Sequence, residues 1–225
     1  MVMVRIYGAH TACSIGVTDA SFLMRISMRL SDKEFQAMNS AARRFLQRTI
    51  EFPLFRKMGL TDEQRDILEI GCGSGYGAVL LATLSPRSYM GVDIMPEQIA
   101  LAQKRQLAHA EFMLRDATDL SCFPDETKDI TVIFGILHHV PPWRTVIQEC
   151  HRVLRKGGKL FVEEPDGRFM AGVQRLFPEA HPKEAFFQLR DLEAHLEAQG
   201  FTILERRWAF GFGFYCAQKP MTVDR

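Results

Sequence analysis

The stretch Asp66-Ile-Leu-Glu-Ile-Gly-Cys-Gly-Ser-Gly-Tyr-Gly, residues 66–77, constrains the fold of this chain more than any other. A short apolar run, Ile67 to Ile70, leads straight into glycines at alternate positions: Gly71, Gly73, Gly75 and Gly77. An apolar run of that length reads as a buried strand. The glycines read as a turn whose backbone must come very close to something. Ala78 to Leu84 then reads as a helix leaving the turn. A strand, a glycine turn and a helix N-terminus together make a place for a small polar ligand.

From Arg65 onward, strand and helix patterns alternate. Strands are expected at 67–70, 89–93, 110–114, 129–134 and 159–163. Helices are expected at 77–84, at 97–108 behind Pro96, at 145–154 closed by Lys156-Gly157-Gly158, and at 188–199. Residues 201–208 and 213–218 read as two last strands in a hairpin around Gly211. The pattern predicts an α/β fold: a doubly wound, mostly parallel seven-stranded sheet with helices on both faces and an antiparallel C-terminal strand. Residues 59–225 form this domain, with an aromatic segment at about 166–188, broken by Pro178 and Pro182, as a lid.

Residues 1–58 read as an N-terminal extension or helical cap. Met1 to Tyr7 suits a strand, and a small hairpin fits residues 1–30. Ser31-Asp32-Lys33-Glu34 has the pattern of a capping box. Phe35, Met38, Ala42, Phe45, Leu46 and Thr49 follow at helical spacing until Pro53 forces a break or a new start. Arg43, Arg44, Arg48, Arg56 and Lys57 make one side basic. That side suits either a solvated face or peripheral contact of residues 43–57 with an anionic membrane surface.

Bulk properties narrow the classes. The 225 residues suit one α/β domain with additions, and a formal net charge of +1 argues against a nucleic-acid partner. The five cysteines are odd in number and scattered without a CxxC pair, so neither a metal site nor a disulfide framework is expected. Free thiols fit a cytoplasmic protein. No apolar run approaches the roughly 20 residues of a membrane span, and no signal peptide is expected. A monomer and a homodimer fit equally.

The ligand follows from charge and spacing. Asp93 closes the second strand roughly 20 residues after Gly71, where an acid accepts hydrogen bonds from ribose hydroxyls. A dinucleotide turn has the form G-x-G-x-x-G and places a pyrophosphate on the helix N-terminus. Here the form is G-x-G-x-G, preceded by Glu69, whose carboxylate disfavours a pyrophosphate and favours a ligand carrying positive charge. Arg115-Asp116-Ala117-Thr118 follows the third strand, and its acid suits an adenine amine.

These residues resemble the class I S-adenosylmethionine-dependent methyltransferases, in the branch that acts on small molecules. Leu68 to Gly75 matches the first motif of that family, Gly91-Val92-Asp93 the second, and Asp116-Ala117 the adenine loop. Phe134 to Val140 matches the stretch after the fourth strand, and Arg152 to Leu160 the stretch leading into the fifth. The resemblance covers roughly residues 60 to 218. It implies a Rossmann-like domain that binds S-adenosyl-L-methionine and leaves S-adenosyl-L-homocysteine. It also implies that Glu69, Gly71, Cys72, Gly73 and Gly75 surround the methionine part of the cofactor. Asp93 would hold the ribose, Ile94, Met95, Asp116 and Ala117 the adenine, and Phe134 with Gly135 the region near the sulfonium.

Methyl transfer from a sulfonium is an in-line displacement, so placing the acceptor is the main task. His138, and after it His139, is the candidate general base for an O, N, S or C atom of a small-molecule acceptor. Glu163, Phe169, Phe187 and His138 are the candidate acceptor contacts. The alternatives are a lipid or quinone methyltransferase at a membrane surface, an NAD(P)-linked oxidoreductase, and a non-catalytic cofactor-binding protein.

Overall fold

The computed structural model describes residues 32–61, 65–176 and 186–221. The expectations for residues 1–30, and the lid residues between 177 and 185, lie outside them. The sheet has seven strands in the order β3-β2-β1-β4-β5-β7-β6. These are β1 (Asp66–Ile70), β2 (Ser88–Asp93), β3 (Ala110–Leu114), β4 (Lys128–Phe134), β5 (Leu154–Pro165), β6 (Thr202–Ala209) and β7 (Phe212–Gln218). Strands β1 to β5 pair in parallel, and β7 runs antiparallel between β5 and β6. The doubly wound sheet with one antiparallel C-terminal strand is therefore present.

Strand side chains alternate between faces, so each central strand feeds two cores. Leu68, Ile70, Ile133, Leu160 and Val162 join one core with Trp143, Val146, Ile147, Leu189, Leu192 and Leu196. Those partners come from α6 (Trp143–Val153) and α8 (Leu189–Ala198). Ile67, Val132, Phe134 and Phe161 join the other with Phe55, Ala78 and Leu81, from α3 (Phe52–Lys57) and α4 (Tyr76–Ala82). Glu163 falls on the second face and Glu164 on the first, and this sends two consecutive carboxylates in opposite directions.

Three local expectations are corrected. The N-terminal helix is not continuous: α1 (Asp32–Met38) stops, and Ser40 caps α2 (Ala41–Leu46) by accepting the Arg43 N–H at 3.1 Å. A π-helical turn, Gln47–Glu51, then runs without a break into α3, and this wider turn precedes Pro53, whose ring and missing N–H an uninterrupted α-helix would not accommodate. The helix α5 (Pro96–Gln103) ends well before residue 108, because Gln106 and His109 take positive φ. Strand β5 begins at Leu154 rather than Lys159. Gly157 and Gly158 do not close a helix but carry the strand, Gly157 donating to the Lys219 carbonyl at 2.8 Å.

The segment before residue 59 is packed into the domain. Phe55 is wholly buried, its ring 5.3 Å from Phe134, 5.6 Å from Phe161 and 6.0 Å from Phe214. The basic face is correspondingly split, since Arg43 turns inward and pairs with Glu51. Truncating a fully enclosed Phe costs about 3–5 kcal/mol. Phe55→Ala is expected to lower unfolding stability by that amount in urea titrations; a loss below about 1 kcal/mol would mean that the cap is not anchored there.

Candidate functional site

One cavity opens at the C-terminal ends of β1, β2 and β4, where the chain reverses its direction of winding across the sheet. In doubly wound sheets this is the ligand crevice. It is lined by Glu69, Gly71, Cys72, Gly73, Asp93, Ile94, Met95, Asp116, Ala117, Phe134 and Gly135. All of the expected cofactor residues therefore meet in one place, with the exception of Gly75. That glycine is the left-handed residue before α4, and a Cβ on it would lie 2.9 Å from the Ala102 Cβ. Its role is to let α4 pack on α5, not to face the cavity.

The glycines divide by what surrounds them. A Cβ on Gly71 would lie 2.6 Å from Ile136, and one on Gly77 would overlap the Glu69 carboxylate. Those positions are closed by the protein itself. Gly73, at φ 51°, has nothing within 4 Å of the same point, although it lines the cavity. A side chain there would project into the crevice, so Gly73 is the glycine whose smallness leaves room for a ligand.

Glu69 sits beneath this loop, 1% exposed, and accepts the Tyr89 hydroxyl at 2.5 Å. Burial pushes its carboxyl up to about 8, against the pull of the Tyr89 hydrogen bond. It is therefore neutral at neutral pH. Asp93 is fixed by two backbone donors, Gly73 N–H to Oδ2 and Met95 N–H to Oδ1, each at 2.9 Å. Burial raises its proton affinity and these donors oppose the rise. Asp116 accepts the Thr118 N–H at 2.9 Å and the Thr118 hydroxyl at 2.7 Å. Asp116 is thus held in a local turn at the wall of the cavity. The Cys72 thiol is buried and pushed well above its ordinary range, so it stays protonated.

The two histidines separate. His139 lines the cavity. His138 is not among the lining residues; its Nδ1 lies 2.8 Å from Glu164 Oε2. Glu164 also accepts the Leu137 N–H at 2.6 Å and is pushed up to about 8 by burial. The rings of His138 and His139 are 4.2 Å apart. The expected order is therefore reversed: His138 anchors the turn and braces its neighbour, and His139 faces the site.

The expected acceptor contacts also disperse. Phe187 stacks on Trp143 at 4.4 Å within the core of the first face, away from the cavity. The sheet lies between it and the second-face pocket described below. Phe169, on α7 (Gly167–Leu176), is 42% exposed and packs on Phe212 at 5.4 Å. Glu163 is buried beside Gly135, whose added Cβ would lie 3.0 Å from Glu163 Oε2.

Arg43, Gln47, Met38 and Asn39 line the cavity from the cap and were not expected there. Their sequence signal is faint. Glu51 follows Arg43 by about two turns, the spacing of residues on one helical face.

The profile of the methyltransferase domain family matches residues 68–162. A phthiotriol/phenolphthiotriol dimycocerosates methyltransferase of Mycobacterium leprae is 43% identical over 96 residues, covering 42% of this chain and 35% of the relative. A fatty-acid O-methyltransferase of Mycolicibacterium smegmatis is 36% identical over 109 residues, covering 48% and 39%. The chain spans about half or less of the length of the curated relatives it matches. Among solved structures, a SAM-dependent methyltransferase from Methanosarcina mazei is 28% identical with a TM-score of 0.62, covering 76% of this chain and 98% of that one. Sheet order, glycine loop, the acid closing β2 and the matched segment agree: the chain carries a class I S-adenosylmethionine-dependent methyltransferase domain.

Proposed function

We propose that the protein transfers a methyl group from S-adenosylmethionine to a small, largely apolar acceptor. The observation that carries this is the convergence of Glu69, Gly73, Asp93 and Asp116 on one crevice, within the segment matched by the methyltransferase profile. When bound, S-adenosylmethionine supplies a methyl group already activated by its sulfonium. The chain's own residues have four tasks. Glu69 offers its carboxylate to the ammonium of the methionine part. Asp93, oriented by Gly73 and Met95, accepts the ribose hydroxyls. Asp116 accepts the adenine amine. His139 takes a proton from an acceptor that must lose one, with His138 and Glu164 fixing its turn.

The G-x-G-x-G spacing and the matched methyltransferase profile disfavour the oxidoreductase reading. The lipid reading is favoured by the names of two relatives, one a fatty-acid O-methyltransferase. It is also favoured by the cap surface, where Phe45 is 68% exposed beside the exposed Arg48. No helix among the described residues is long and apolar enough to cross a membrane, so such contact would be peripheral.

Two outcomes test this. Incubation with methyl-labelled S-adenosylmethionine and a cell extract should move label into an organic-soluble product, read by mass spectrometry. Label that stays wholly on the donor would contradict the proposal. The second outcome is a pH dependence. Glu69 is neutral in the free site below about pH 8, and a ligand ammonium favours its ionised form, so binding releases its proton. Affinity for S-adenosylhomocysteine should rise roughly tenfold or more between about pH 6 and 8, and Glu69→Gln should flatten that rise. Parallel profiles in the two proteins would remove Glu69 from the site.

A further inference from the structure

A second pocket lies on the other side of the cap, between it and the C-terminal hairpin. Its walls are Leu46, Ile50, Ala209, Phe210, Phe212 and Phe214, and its only polar members among the described residues are Glu51 and Glu163. Both carboxyls are almost wholly buried, at 3% and 1% exposure. One oxygen of each, Oε2, has no hydrogen-bond partner. Two buried polar atoms without partners lie at the floor of this apolar pocket, and a ligand group that supplies hydrogen bonds would satisfy them. The pocket is also open to large apolar molecules, since Leu46 and Phe210 at its walls are 37% and 79% exposed.

Two residues join this pocket to the cofactor crevice. Gly135 lines the crevice and backs directly onto Glu163 Oε2. Arg43 lines the crevice and donates to Glu51. We propose that this pocket is the acceptor site and takes a neutral apolar molecule ending in a hydroxyl group, held by Glu163 and Glu51. This rests on the methyl-transfer reading of the adjoining crevice.

The choice of hydroxyl follows from the charges at the floor. An ammonium head would stand beside the Arg43 guanidinium. A carboxylate head would face two carboxyl groups with only one cation to offset them. A hydroxyl both donates and accepts, so it satisfies either glutamate without bringing charge into a buried place. Burial first, and the Glu51 charge second, push Glu163 well above the usual carboxylate range. The pocket residues all fall outside residues 68–162, in the parts of the chain that the domain profile does not cover.

Calorimetric titration of the full chain with 1-octanol, octylamine and sodium octanoate, each beside S-adenosylhomocysteine, tests this. Saturable binding of 1-octanol is expected, at least about tenfold tighter than that of the amine or the carboxylate. Leu46→Trp, at a half-exposed position that can take the larger ring, should fill the pocket and weaken 1-octanol at least about tenfold. The affinity for S-adenosylhomocysteine should stay within about twofold. Glu163→Leu should weaken 1-octanol likewise by removing the polar floor. If S-adenosylhomocysteine binds and 1-octanol does not, or if the carboxylate or the amine binds tightest, the acceptor assignment is overturned and the donor site stands. If S-adenosylhomocysteine does not bind, the methyl-transfer reading fails, and the acceptor role fails with it.

Discussion

The site is built around a carboxyl that the central strand buries at its own C-terminal end. Glu69 takes the space that any side chain on Gly77 would need, so the loop can pass over it only as glycine. Tyr89, from the neighbouring strand, donates its hydroxyl to the same carboxyl and joins β2 to β1 beneath the crevice. Burial of that kind disfavours charge. The crevice is therefore floored by an acid that is neutral at neutral pH. The helix behind the loop, the gap at Gly73 and the orientation of Asp93 all depend on the loop taking this path.

Strand alternation then divides the labour at the edge of the sheet. Glu163 and Glu164 are consecutive, yet one faces the cap and the other the turn at 137–139. Glu164 is fully engaged by the backbone N–H of Leu137 and the ring of His138. Glu163 is left with an unpartnered oxygen on the face where the cap brings Arg43 and Glu51. The matched segment supplies most of the cofactor crevice, whereas the cap and the terminal hairpin supply the pocket beside it. On the proposed reading, the donor site lies within the matched segment and the acceptor site in the parts of the chain outside it.

Much of this was legible in the sequence. The strands and their order of winding follow from apolar runs separated by helices, and the eleven expected cofactor residues that line the crevice rest on local motifs attached to strand ends. What could not be read depends on distant partners. Gly157 reads as a helix stop until the Lys219 carbonyl is there to accept its N–H. Arg43 reads as one of a basic row until Glu51 draws it inward. Phe187 reads as part of a lid until Trp143 provides a stacking surface on the opposite face. His138 and His139 cannot be ranked from sequence, because the choice turns on which ring meets Glu164. Gly75 looks like its neighbours in the motif, but its contact is Ala102 on the next helix.

The central claim is that the crevice above Gly73 is a donor site for a sulfonium nucleoside. Calorimetric titration with S-adenosylhomocysteine, and with NAD as a control, tests it in the wild type and in Gly73→Arg. The account predicts saturable binding of S-adenosylhomocysteine to the wild type alone and none of NAD, with the variant still folded, since its side chain enters open space and the left-handed backbone at φ 51° costs a non-glycine residue only about 1–2 kcal/mol. Equal affinity in the two proteins, or preference for NAD, would contradict it.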